Sequence, residues 1–243
     1  MTNFKALIQY DGTDFNGWQI QPDKRTVQGA IEEALRIISG ERVVCNGASR
    51  TDAGVHATGQ IANFHVKLNI HPQSLIKALN SILPRDIRII EIEEINESFD
   101  ARVHAKSKIY IYKIWNDQII SPFIWRWYYH VPFSLDFESM AEASKYFVGE
   151  KDFSSFTSHP SSNNFKRTVF RSELLKKEKE IIYTIEANGF LRYMVRNIVG
   201  TLIEVGRGKI NPSSIPEIID EKKREAAGPT ALPSGLFLDS VIY

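Results

Sequence analysis

Arg50-Thr51-Asp52-Ala53-Gly54-Val55-His56-Ala57 sits between two runs that read as strands, Arg42 to Asn46 and Gln60 to Val66. A strand, an Asp, a Gly and a second strand make turn chemistry. Asp can accept from its own downstream backbone N–H groups, and Gly54 can take a positive φ without a Cβ penalty. Two readings follow from these residues. One is an Asx-type turn whose Asp and Gly are structural. The other is a carboxylate presented on a rigid loop, with Arg50 two residues upstream as its charge partner. An Arg beside an Asp favours the ionised form, which suits a nucleophile or base and not an acid.

Working outward, Phe4, Ala6, Ile8 and Tyr10 alternate with Lys5, Leu7 and Gln9, which predicts a half-buried strand that ends at Asp11-Gly12. An irregular segment follows, Tyr10 to Phe15 and Gly17-Trp18-Gln19, in which Trp18 suits either a core or lid residue or a partner-facing loop. Thr26 is a candidate N-cap for a helix with the stripe Val27, Ala30, Ile31, Ala34, Leu35 and Ile38, closed by Gly40. A second helix starts at Pro72, carries Leu75, Ile76, Leu79 and Ile82, and stops at Pro84; a strand spans Asp86 to Ile95. The order β-α-β-β-α-β predicts a ferredoxin-like half, an antiparallel sheet with two helices on one face, and the Asp52 loop joins its two middle strands.

A second half begins with the strand Lys108 to Trp115, apolar at nearly every position and so expected to be covered on both faces. A helix capped by Ser134 or Asp136 runs to about Phe147, and Ser158 to Asn164 reads as a surface loop. Strands from Arg167 and over Glu180 to Ala187 pair around a charged hairpin, Lys176 to Lys179, that reads as a solvated tip. Phe190 to Gly206 reads as one long helix with Arg192 and Arg196 on a shared face. A short helix near Ile215 to Lys222 and a strand from Gly235 to Tyr243 close the chain. The expected class is α+β: two βαββαβ halves, residues 1–104 carrying the Asp loop and 105–243 completing the chain. The aromatic run Phe123-Ile124-Trp125-Arg126-Trp127-Tyr128-Tyr129 is expected to pack inside the monomer, with a subunit interface as the alternative.

The 243 residues suffice for a sizeable core, and 43% hydrophobic with 24% charged is ordinary for a globular chain. A formal net charge of +1 means that any nucleic-acid site is a local basic patch; Lys106, Lys108, Arg126 and Arg192 are its candidates. The one cysteine, Cys45, lies in the apolar run Val43-Val44-Cys45 and reads as a core residue, and a chain without internal disulfides suits a reducing cytosol. No run is long enough for a membrane span, and no signal peptide is evident. Scattered histidines and no phosphate-binding motif predict neither metal nor cofactor.

Arg50 to Ala57 resembles the signature of the bacterial tRNA pseudouridine synthase A family, although Ser49 stands where Gly is frequent. Five further stretches carry the resemblance along the chain. They are Tyr10-Asp11-Gly12 with Gly17-Trp18-Gln19 and Gln21-Pro22, Val27 to Leu35, Ser107 to Tyr112, Phe190 to Gly200, and Ala227 to Ala231 with Gly235 to Leu238. The resemblance implies two α/β halves sharing one extended antiparallel sheet around a basic cleft. It implies a cytoplasmic, homodimeric enzyme that isomerises uridines at positions 38–40 of the tRNA anticodon arm without metal or cofactor. It also implies roles: Asp52 as the catalytic aspartate, Tyr110 as the tyrosine that meets the target uracil, and Arg196 as the cation that reaches the carboxylate. Arg50 would fill the space of the flipped base or steady a phosphate. The alternatives are a paralogue acting on ribosomal RNA, an N-glycosylase, and a non-catalytic tRNA-binding module.

Overall fold

The structure, a computed structural model, describes residues 1–158 and 164–243. The expected loop over 158–164 therefore lies largely outside the described residues. The chain divides into two compact units, one of residues 1–106 and 237–243, the other of 107–236. Both mix helices with mostly antiparallel strand pairings. No described helix is long and apolar enough to cross a membrane.

In the first unit, strand β1 (Thr2–Tyr10) lies between β3 (His56–Val66) and β4 (Ile87–Ile95), antiparallel to both. Its alternation places Phe4, Ala6, Ile8 and Tyr10 in the core. Strand β2 (Cys45–Gly47) pairs with the far edge of β3 at Ala62 to Phe64. Further along that edge, β10 (Leu236–Ile242) pairs in parallel with His56 and Ala57. The expectation assigned this last strand to the second half; its hydrogen bonds to β3 hold residues 237–243 in the first unit. Strand β2 is shorter and later than the predicted 42–46, and β3 begins at His56 instead of Gln60. The Asp52 loop is correspondingly tight, with His56 and Ala57 already in the ladder.

Helix α1 (Val27–Ser39) starts where Thr26 accepts from the Gly29 amide at 3.3 Å, and ends at Gly40 with φ of 75°. It buries Val27, Ile31, Ala34 and Leu35. Helix α2 (Pro72–Ile82) buries Leu75 and Leu79. Trp18 is fully buried, so of the two readings of this residue the core one holds. Its ring fills the space beside Gly47, where an added Cβ would approach it to 2.4 Å. Removing a buried aromatic of this size costs about 3–5 kcal/mol.

In the second unit, β5 (Ser107–Trp115) and β8 (Lys166–Lys177) flank β9 (Glu180–Ala187), both antiparallel to it. Two short strands were not predicted: β6 (Tyr129–His130) beside β5, and β7 (Gly149–Asp152) beside β8. Neither has enough alternating positions to show a period of two. Along β5, Tyr110, Tyr112 and Ile114 are buried and the intervening positions are half-buried, so both faces are covered. The hairpin tip Lys176 to Lys179 is exposed, as the charge run predicts. Helix α3 (Phe137–Lys145) is capped by Asp136, which accepts from the Ser139 amide at 3.2 Å. Helix α5 (Ile215–Glu221) is short.

Helix α4 (Met194–Gly206) begins four residues later than predicted. Tyr193 has φ of 63°, a left-handed backbone that cannot propagate a right-handed helix, so Phe190 to Tyr193 form an approach to the helix. Almost all of α4 is buried. Its middle carries no side chain at Gly200, and the segment 228–231 lies directly on its backbone. A Cβ at Gly200 would come within 1.6 Å of the Pro229 carbonyl oxygen, and one at Gly228 within 2.7 Å of the Thr201 Cα.

The run Phe123 to Tyr129 departs from the expectation that it packs inside. Residues Trp125–Trp127 form one 3₁₀ turn, and Phe123, Trp125 and Trp127 are exposed, Phe123 at 85%. A single short turn cannot place successive aromatics on one buried side.

The Gly200 contact yields a prediction. Gly200→Ala forces backbone apart from backbone, and overpacking of that kind costs about 1–3 kcal/mol. The urea midpoint should fall with an unchanged slope; a midpoint equal to that of the parent chain would show that the 228–231 segment yields freely.

Candidate active site

The loop 48–55 is held on three sides within its own unit. On the first, Gln60 of β3 clamps Ser49. Its amide nitrogen donates to the Ser49 carbonyl at 2.7 Å, and its carbonyl oxygen accepts from the Ser49 amide at 3.2 Å. On the second, Tyr10, at the end of β1, shares a buried 2.8 Å hydrogen bond with the Thr51 hydroxyl. On the third, the segment after β1 lies over the loop backbone. Trp18 donates its amide to the Thr51 carbonyl at 3.1 Å, and Gly54 donates to the Phe15 carbonyl at 3.2 Å. The loop closes on itself where Val55 donates to the Asp52 carbonyl at 3.2 Å. Asp52 is half-buried at the head of this turn.

Two glycines make the approach possible. A Cβ on Gly12 would stand 1.9 Å from the Val55 carbonyl oxygen, and one on Gly17 2.5 Å from the Thr51 carbonyl oxygen. Gly17 also has φ of 87°, which an L side chain adopts only under strain. The cradle is steadied from outside by Arg25, which stacks on Phe15 at 3.9 Å and pairs through one nitrogen with both oxygens of Asp86 at 2.9 Å.

His56 closes the cradle. It is 1% exposed, and its ring stacks on Phe237 at 4.6 Å. Its Nδ1 lies 3.0 Å from the Gly12 amide and 3.1 Å from a carboxylate oxygen of Asp11. That oxygen also accepts from the Thr13 amide and hydroxyl. The hydrogen bond to His56 is the largest cause holding the Asp11 carboxyl well below the usual carboxylate range; burial opposes it and the Thr13 bonds assist.

Arg50 is exposed and forms no ion pair with Asp52 among the described residues, against the expectation of a charge pair. Thr51 between them is drawn inward to Tyr10, and the guanidinium stays in solvent. The other predicted residues belong to the second unit. Tyr110 is buried on β5 opposite Ile185, with its ring edge-on to Phe190 at 5.1 Å. Tyr112 is also buried and donates its hydroxyl to the Leu232 carbonyl at 2.6 Å.

Arg196 lies on the first turn of α4. Its Nε donates to the Ala231 carbonyl at 2.8 Å, and the Ala231 amide donates back to the Arg196 carbonyl at 3.1 Å. The same segment is tied to α4 by Thr230, which donates to the Asn197 side-chain oxygen at 2.6 Å, and by the Gly228 amide, which donates to Thr201 at 2.9 Å. Arg192 and Arg196 do not share a helical face, because Arg192 precedes the helix. Both instead lie over the Tyr193 ring, at 4.9 and 5.1 Å. Phe190 and Tyr193 thus connect the surroundings of Tyr110 to those of Arg196.

Of the proposed basic residues, Lys106, Arg126 and Arg192 are exposed and Lys108 is half-buried. Cys45 is buried, and burial pushes its thiol pKa up, which removes it as a nucleophile. The sequence did not reveal the clamping work of Tyr10, Gly12, Gly17 and Gln60. The only signal was the density of glycine and aromatic residues in Tyr10 to Gln19.

Comparison with known proteins shows the family to which the chain belongs. A family described as tRNA pseudouridine synthase matches residues 6–102 and 143–243. Proteins named tRNA pseudouridine synthase A align over the full length of both chains. Among them, the Acetivibrio thermocellus protein is 48% identical, and those of Thermodesulfovibrio yellowstonii and Caldicellulosiruptor saccharolyticus are each 46% identical.

The Tyr10–Thr51 bond gives the second prediction. Tyr10→Phe keeps the ring and leaves the Thr51 hydroxyl without this partner, which should lower the stability of the first unit by about 1 kcal/mol. Urea unfolding reads the change. An unaltered midpoint would mean that the bond does not hold the loop.

Proposed function

Because the chain belongs to the tRNA pseudouridine synthase family, we propose that it converts uridine to pseudouridine in the anticodon stem-loop of tRNAs, at positions 38–40, with Asp52 as the catalytic carboxylate. The observation that carries this reading is the clamped loop: a half-buried carboxylate on a turn fixed from three sides. Rigid presentation of one reacting group is what positional catalysis requires.

The reaction is an isomerisation. The bond between C1′ and N1 breaks, the uracil turns, a bond forms between C1′ and C5, the C5 proton leaves and N1 takes up a proton. Atoms and electrons balance without an oxidant or an energy source. Attack by Asp52 at the sugar, attack at the base, or removal of a sugar proton would each use an ionised carboxylate. The uridine must first leave its stack, at a cost of a few kcal/mol. Tyr110 offers a stacking partner worth about 1–3 kcal/mol. Arg196 and Arg50 serve as substrate-binding cations, the former held by Ala231 and the latter exposed at the loop. The reading includes the two ferredoxin-like halves, shared sheet and basic cleft that the family resemblance implies, and a cytoplasmic location.

It also includes a homodimer. The exposed Phe123, Trp125 and Trp127, with Ile119 beside them in sequence at 77% exposure, offer an apolar surface suited to burial against a second copy.

Two experiments test these statements. Asp52→Asn keeps the shape of the side chain and removes its charge. The variant should fold and bind tRNA, and mapping of its reaction products should find no pseudouridine. A rate above about a tenth of the parent's would remove Asp52 from the chemistry. Light scattering tests the assembly: a mass near 27.7 kDa at micromolar concentration would exclude a stable dimer. If the dimer is present, Trp127→Glu should yield a folded monomer.

A further inference from the structure

We propose that His56, acting through Nδ1 and together with Asp11, is a positioning residue for Asp52; this rests on the reading of Asp52 as the catalytic carboxylate. Two groups converge on one nitrogen, the Gly12 amide at 3.0 Å and the Asp11 carboxylate at 3.1 Å. They make opposite demands. If Nδ1 keeps its lone pair, it accepts from Gly12 and faces a carboxylate oxygen, and the proton sits on Nε2. That atom is buried without a hydrogen-bond partner. If Nδ1 carries the proton, it donates to Asp11 and the Gly12 amide loses this acceptor. Each arrangement leaves a buried polar group short of a partner, at about 1–3 kcal/mol.

An apolar ring stacked on Phe237 would remove the Nε2 conflict but leave the buried Gly12 amide without its acceptor. A polar ring kept in such a conflict works against folding, and local conflicts of this kind gather at functional sites. What the ring does here is geometric. It ties the Asp11-Gly12 turn to the residue that directly follows Val55. Gly12 lies against the Val55 carbonyl, and Val55 closes the turn headed by Asp52. The turn after β1, the His56 ring and the Asp52 turn therefore form one assembly. Loss of the Nδ1 contact lets the first slide over the last, and displacement of a reacting group by about 1 Å can cost on the order of 100-fold in rate.

The test compares two substitutions in the full-length chain by single-turnover rate and by tRNA affinity. His56→Phe keeps the ring against Phe237 and loses the nitrogen. His56→Asn loses the ring and places an amide group where Nδ1 stood. For positioning, His56→Phe should fall about 10- to 100-fold in single-turnover rate with Kd within about threefold, and His56→Asn should be the faster of the two per folded molecule. A purely structural role gives the reverse order, because the variant that retains the stacked ring packs better. The proposal is overturned if His56→Phe stays within about threefold of the parent rate, if it is the faster variant, or if its loss appears in Kd. Should both His56 variants fail to fold, Asp11→Asn carries the test. It keeps an oxygen for Thr13 and removes the charge facing Nδ1. Its single-turnover rate should drop at unchanged Kd, and a parental rate overturns the proposal. Asp52→Asn separates the two levels. An active Asp52→Asn defeats the underlying reading, whereas an inactive one beside a fully active His56→Phe defeats the inference alone.

Discussion

The first unit depends on the approach of one backbone to another. Gly12 and Gly17 lie so close to the carbonyls of Val55 and Thr51 that no side chain fits between them. Fixing the backbone of each loop residue costs about 1–2 kcal/mol of conformational entropy, so a turn carrying a reactive carboxylate is not rigid by default. Here hydrogen bonds from Trp18, from Gly54 to Phe15, and between Tyr10 and Thr51 take up that cost. The position of Asp52 follows from this stacking of segments and from the start of β3 at His56.

The second unit uses the same device for a cation. Gly200 and Gly228 let the 228–231 segment lie on the backbone of α4, and the pair of hydrogen bonds between Arg196 and Ala231 follows from that contact. A guanidinium on so buried a helix needs partners, because an unpaired buried charge is costly. The left-handed turn at Tyr193 starts the helix late and leaves its ring beneath both Arg192 and Arg196. Backbone geometry, more than side-chain chemistry, therefore decides which arginine is fixed and which remains exposed.

The aromatic run Phe123 to Tyr129 shows where hydrophobicity stops being informative. Apolar residues signal that a surface is to be buried, and they do not say by what. The run lacks a helical or strand period. Its backbone makes one 3₁₀ turn and a two-residue strand, and three of its rings face outward.

The sequence by itself determined the elements with strong periods and clear punctuation. Alternation marked β1, Thr26 and Gly40 bounded α1, and Pro72 and Pro84 bounded α2. The motif Arg50 to Ala57 singled out Asp52, and it lies within the residues that match the family. Periodicity and caps are local, so a few residues suffice to read them. Tertiary structure decided the rest. It moved the first residues of β3 back to His56, delayed α4 to Met194, took the last strand to β3, and left Arg50 unpaired from Asp52. It also gave Tyr10, Gln60 and the pair His56 and Asp11 their roles around the loop. Those contacts join residues about 10 to 50 positions apart. Their physical basis is which backbones can touch, and that appears only when the glycines stand opposite the carbonyls they accommodate.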